Sequence, residues 1–149
     1  MLIGERVVAI DFGLKRIGLA ISDATRQIAF PLKTVLAGKT AKETVAILLK
    51  ELESLEKERD CRINPIVLGM PFHLSGQEST LSPAVRALGK ALQEATGKEI
   101  VFWDERMTSN RANSLLKETG KNRKERSAIV DPVSASLLLE NYLTSQLNH

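Results

Sequence analysis

With a single cysteine, Cys61, the chain can form no internal disulfide, and a reducing compartment suits it. It lacks any run of about 18 uninterrupted apolar residues, and residues 1–6 lack the basic start and apolar stretch of a secretory leader. The expectation is a soluble, cytoplasmic protein without a membrane partner. Aromatic residues make up only 4% of the chain, which argues against a broad stacking surface for single-stranded nucleic acid. No Walker loop, dinucleotide fingerprint or HExxH zinc motif occurs. Asp11-Phe12-Gly13 coincides with the metal-binding triplet of protein kinases, but the glycine-rich and catalytic loops a kinase needs ahead of it have no counterpart.

What is present suits one domain over residues 1–149, since 43% hydrophobic content is enough for a core at this length. The net charge is only +3, unevenly placed: residues 105–126 hold seven basic side chains against three acidic ones. A local basic surface of this kind permits a polyanionic partner without demanding one.

Residues 7–10 and 17–22 are short β-branched runs on either side of a turn at Gly13, which predicts an antiparallel pair. Residues 28–36 could supply a third strand, which Pro31 makes an edge or a late-starting strand. Thr40 and Glu43 have the spacing of a capping box, and Val45, Leu48, Leu52 and Leu55 form the apolar face of the helix that follows. Residues 66–70 (IVLGM) read as a strand covered on both faces, ended by Pro71. Ser82 as N-cap and Pro83 at the first helical position open a helix with Val85, Leu88, Leu92 and Ala95 inward and Gly97 as its stop. Residues 100–103 form another buried strand, a short helix is bracketed by Thr108 and Gly120, residues 121–126 (KNRKER) form an exposed loop, and Asp131 caps a last helix through Leu147 with Pro132 at its first position. The order predicts an α/β fold: a mixed five-stranded sheet flanked by helices.

Chemistry resides in acids at the ends of these elements. Asp11, Glu105 and Asp131, far apart in sequence, are expected to meet around one or two Mg²⁺ or Mn²⁺ ions, with Asp104 as the rival of Glu105. Hard cations prefer oxygen ligands, and paired ions serve in-line displacement at phosphorus. Each acid has a plainer reading as well. Asp11 before a glycine turn can bond its own backbone amides, Asp131 before Pro132 is a good N-cap, and Asp104 or Glu105 can pair with Arg106 in a solvated loop. Lys15, Arg16 and Arg106 suit phosphate contacts beside such acids, or are ordinary surface charge. Lys117, Lys121, Arg123, Lys124 and Arg126 either grip a nucleic-acid backbone or solubilise a loop.

Four blocks in order resemble the YqgF/RuvX family of pre-16S rRNA nucleases and Holliday-junction resolvase-like proteins: residues 7–23 (VVAIDFGLKRIGLAISD), 66–76 (IVLGMPFHLSG), 103–108 (WDERMT) and 131–143. The resemblance implies an RNase H-like fold and metal-dependent phosphodiester hydrolysis that trims the 5′ end of precursor 16S rRNA during ribosome assembly, with the pre-ribosomal particle as partner. It places the family's acids at Asp11, at Glu105 with Asp104 as alternative, and at Asp131. Related resolvases carry the second acid on the middle parallel strand, which here ends in Gly69, Met70 and Pro71, and residues 72–75 (FHLS) depart from the usual polar approach to Gly76. The competing readings are a junction-cleaving DNA endonuclease, an RNA-binding module that does not cut, and an ATPase fragment using a similar aspartate and glycine turn.

Overall fold

Val7, Val8, Ala9 and Ile10 are all buried, so the first strand, β1 (Glu5–Phe12), is covered on both faces. In the computed structural model, which describes residues 4–70, 81–104 and 123–147 and, in the last stretch, side chains from Pro132 onward, β1 lies at the centre of a sheet. Strand β2 (Arg16–Ser22) returns antiparallel to it, and β3 (Ala29–Leu36) adds an edge beyond β2. Helix α1 (Ala41–Arg59) leads to β4 (Arg62–Met70), parallel to β1, and α2 (Ser82–Thr96) leads to β5 (Ile100–Asp104), parallel to β4. The strand order is β3-β2-β1-β4-β5, a mixed five-stranded sheet, and a long helix, α3 (Arg123–Leu147), follows.

The two faces carry different side chains. Toward α1 and α2 the sheet presents large residues, among them Ile10, Ile17, Leu19, Ile66 and Leu68, packed with Leu48, Leu52, Leu55, Val85, Leu88 and Leu92. Each such side chain contributes about 1.5–3 kcal/mol when fully buried. Toward α3 it presents smaller ones, Val7, Ala9, Ala20 and Val67, against Ala135, Leu138, Leu139, Tyr142 and Leu143. Small residues let α3 lie close across β1, β2 and β3. Trp103 of β5 closes this layer edge-on to Tyr142, ring centroids 5.4 Å apart.

Several boundaries differ from the sequence expectation. Strand β4 starts at Arg62 rather than residue 66; the β1–β4 register shifts between Arg6 and Val8, and this irregularity accommodates Asn64 and Pro65. Leu81, not Ser82, is the N-cap of α2, Ser82 is already helical and buried, and Ala95 is exposed. The Thr40 hydroxyl accepts from the Glu43 N–H at 3.1 Å as expected, but the Glu43 carboxylate accepts from the Lys39 N–H at 2.7 Å. The largest correction concerns α3. It begins at Arg123, so Arg123, Lys124 and Arg126 are helical rather than in a loop, Asp131 is not an N-cap, and Pro132 sits inside the helix. An interior proline forfeits its own N–H bond, here to the Ala128 carbonyl, and crowds that carbonyl with its ring, together costing about 3 kcal/mol, and the packing of α3 on the sheet outweighs that loss. The expected helix at 108–120 lies outside the described residues. Cys61 is buried where α1 meets β4, and burial pushes its thiol up, away from the reactive thiolate.

The β2–β3 turn is organised by one carboxylate. Asp23 Oδ1 accepts from the Ile28 and Gln27 N–H groups at 2.9 and 2.8 Å, and Oδ2 accepts from the Thr25 hydroxyl. The Ile28 N–H bond, then those from Thr25 and Gln27, hold the Asp23 carboxyl far below the usual carboxylate range. Its folded value being depressed, the stabilisation is complete above the unfolded carboxylate value near pH 4 and is lost as pH falls below it. Asp23→Ala should lower Tm by a few degrees at pH 7, and the gap to wild type should narrow in melts toward pH 3.

Candidate active site

Strands β1, β4 and β5 run parallel and end at one edge of the sheet, at Phe12, Met70 and Asp104. In open α/β sheets, ligands sit beyond such carboxyl ends. Asp11 is the penultimate residue of β1 and half-buried. Val8, Ile10 and Phe12 pack toward α1 and α2, whereas Val7 and Ala9 pack toward α3, so the pleat assigns Asp11 to the α3 face. Its cross-strand partner on β2 is Gly18, and since Ile10 is level with Leu68, Gly69 lies beside it on β4. At its level on that face, the flanking strands therefore carry no side chain. Glycine inside a strand marks a place where something approaches the backbone closely. Neither Gly18 nor Gly69 was singled out by sequence reasoning, although strand-interior glycine was the available signal.

The β1–β2 turn puts cations at the same edge. A Cβ on Gly13 would stand 2.6 Å from the Arg16 carbonyl oxygen, so the tight turn requires glycine. Lys15 and Arg16 follow it, both exposed, and the Lys15 carbonyl accepts from the Ala37 N–H at 2.9 Å, fixing the turn to the end of β3.

Asp104 ends β5 level with Met70 and is exposed. Val101 and Trp103 pack toward α3, whereas Phe102 lies against Gly89 of α2. Asp104 shares the parity of Phe102, so it stands at the same edge as Asp11 but on the opposite face. Glu105, Arg106 and Lys121 lie outside the described residues, and of Asp131 only the helical backbone is described. Among the described residues no group of three or more His, Cys, Asp or Glu side chains is close enough to hold a metal ion. One turn after Asp131, Ser134 is buried and its hydroxyl lacks a hydrogen-bond partner among the described residues. A buried hydroxyl left unmatched costs about 1–3 kcal/mol, and a fold keeps such a group where another demand outweighs packing.

Comparison with known proteins agrees with this geometry. The family model for RuvX, described as Holliday junction resolvase, matches residues 5–145. A protein of Protochlamydia amoebophila named "Putative pre-16S rRNA nuclease" is 43% identical over 142 residues, 95% of each chain. One of the same name from Lactococcus lactis subsp. lactis is 34% identical over 142 residues, 93% of each chain. Among solved structures, Thermus thermophilus RuvC in complex with a Holliday junction substrate superposes with TM-score 0.54 at 18% identity, covering 96% of both chains. The fowlpox virus resolvase in complex with Holliday junction DNA gives 0.57 at 11% identity, covering 95% of this chain and 99% of that one. The sheet is thus that of the RNase H-like resolvases, and the chain belongs to the RuvX family.

Proposed function

We propose that the chain is a single-domain, cytoplasmic, divalent-metal-dependent nuclease that hydrolyses phosphodiester bonds in structured nucleic acid, with the 5′ region of precursor 16S rRNA, free or in a pre-ribosomal particle, as its substrate. The observation that carries the reading is Asp11: a half-buried carboxylate at the carboxyl end of a central strand, set between Gly18 and Gly69 in a nuclease family. A Mg²⁺ or Mn²⁺ ion fits an all-oxygen site of this kind, and when bound it supplies charge neutralisation at the phosphate and a more acidic water. No histidine or thiol competes for it beside Asp11 among the described residues, Cys61 being at the opposite end of β4.

The pleat of β5 bears on one of the two rival second acids. Asp104 has the parity of the α1–α2 face, opposite to that of Asp11, which supports Glu105 over it. Glu105 is therefore the proposed second ligand. Asp131 is the third, and its plainer reading as a cap is gone because α3 runs through it. The lengths agree: Tyr142 and Val7 line a common cavity at the base of β1, the 11-residue rise back to Asp131 is about 16 Å, and the four strand residues from Val7 to Asp11 span about 13 Å. Lys15, Arg16 and Arg106 are proposed to hold the phosphates beside the cut, and Lys121, Arg123, Lys124 and Arg126 the backbone further away.

A four-way DNA junction is the second substrate class, favoured by the family description. Both classes should be offered to the purified protein with Mg²⁺, Mn²⁺ or chelator. Cleavage is expected with either metal and none with chelator. Cutting that survives chelation removes the metal from the reading, and tight binding with no cleavage under any metal favours a non-cutting module.

Substituting Asp11→Asn should lower the cleavage rate roughly a thousandfold; an unchanged rate excludes the proposed site. Valine at Gly69 should crowd whatever approaches the strand beside Asp11 and cost about 10- to 100-fold in activity, with Tm measured alongside to separate a damaged site from a damaged fold. Neutralising Arg123, Lys124 and Arg126 together should weaken binding and flatten its salt dependence by about one logarithmic unit of slope for each phosphate no longer neutralised, read from affinities at several salt concentrations.

A further inference from the structure

Among the described residues, the two most exposed large apolar side chains stand at the edge where Asp11 sits: Leu14 at 75% and Leu36 at 71%. A lone exposed leucine is ordinary, but these two stand on adjoining, hydrogen-bonded segments. Leu14 is the middle residue of the turn between β1 and β2, Leu36 is the cross-strand partner of Arg16, and the Ala37 N–H to Lys15 carbonyl bond joins their segments.

Both leucines are also braced. The Gly13 turn admits no Cβ. Behind Leu36, a Cβ on Gly38 would come within 2.5 Å of the Glu43 Cβ, the Gly38 N–H donates to Thr44 Oγ1 at 3.0 Å, and the Lys39 N–H is held by Glu43. Lys15 and Arg16 beside Leu14, and Lys39 and Lys42 after Leu36, are all exposed, and Glu43 is engaged with the Lys39 amide. A firm apolar tip with exposed cations in the same segments complements a nucleotide: the cations meet phosphate and the apolar tip meets an uncovered base face.

We propose that Leu14 and Leu36 form a wedge against the bases flanking the cleaved phosphate, so that the protein selects nucleic acid opened at a helix end or branch over uninterrupted duplex. The inference rests on the nuclease reading. Leu14 is three residues beyond Asp11, at most about 10 Å of chain. Along one strand that reaches about three nucleotides at 3.4 Å each. An aliphatic wedge also suits a chain with few aromatic residues, since leucine side chains inserted at a base step unstack it without ring stacking.

The test uses a branched substrate carrying 2-aminopurine at each of the three nucleotides on either side of the cut, with wild type and the surface variants L14S, L36S and L14S/L36S, their folding checked by Tm. Wild type should raise the fluorescence of at least one probe on binding. The double variant should lose that rise, and its kcat/KM should fall about tenfold on the branched substrate but stay within about twofold of wild type on a single strand of the same sequence. Variants that keep both the fluorescence rise and the preference for branches overturn the wedge and leave the nuclease reading standing. So do variants that act normally on naked nucleic acid and lose affinity only for a precursor particle, because the leucines would then face protein. A wild type that neither cuts nor binds any of the substrates removes the nuclease reading, and the wedge with it.

Discussion

The parallel pairing of β1 with β4 at the centre of the sheet is the constraint on which the rest depends. Val8, Ile10, Ile66 and Leu68 are fully buried, and the register Ile10 to Leu68 fixes which side of the sheet every neighbour faces. A slip of one residue would send Ile10 toward α3 and Asp11 into the apolar layer under α1 and α2, burying an uncompensated charge. The burial that stabilises the core is therefore also what aims the carboxylate. Pro65 enters the sheet only at the register shift near the base of β1, below the regular pairing that leads up to Asp11.

The sheet divides its labour between its ends, and one sequence block contributes an aspartate to each. Asp23 lies roughly 16 Å along the sheet from Asp11 and spends its oxygens on the β2–β3 turn. Near it, the Ser22 hydroxyl accepts from the Val7 N–H at 2.9 Å. At the same end Glu56 accepts from the Ile63 N–H and from Lys98 at 2.8 and 3.0 Å. Burial pushes the Glu56 carboxyl up, and these two bonds together with the charges of Lys98 and Arg62 outweigh it. Asp23 and Glu56 thus tie the base of the sheet together, while exposed cations, the glycine-flanked carboxylate and the apolar tip stand at the other edge.

Much of this was legible in the residues because apolar runs bounded by turn signals leave little freedom. The Ile66 to Met70 run could only be a strand covered on both faces, and the Thr40 and Glu43 spacing marked the start of α1. What misled was local chemistry with two uses. Aspartate before proline is a strong helix-start signal, yet tertiary packing carries α3 through Asp131 and Pro132. Ser82 before Pro83 misled in the same way, by one residue. That Asp104 stands on the face opposite Asp11 needed the pleat of β5, which only its packing against α2 and α3 reveals. The glycines beside Asp11 needed the register of three strands, which no single stretch of sequence contains.

The central claim is that Asp11, Glu105 and Asp131 hold a shared cation on the α3 face. Calorimetric titration of Mn²⁺ into the protein bound to a cleavage-resistant phosphorothioate substrate tests it most directly, comparing wild type with E105Q, D131N and D104N. The account predicts that E105Q and D131N abolish the metal isotherm while D104N leaves it intact. Loss of binding in D104N with retention in E105Q, or equal binding by all four proteins, would contradict it.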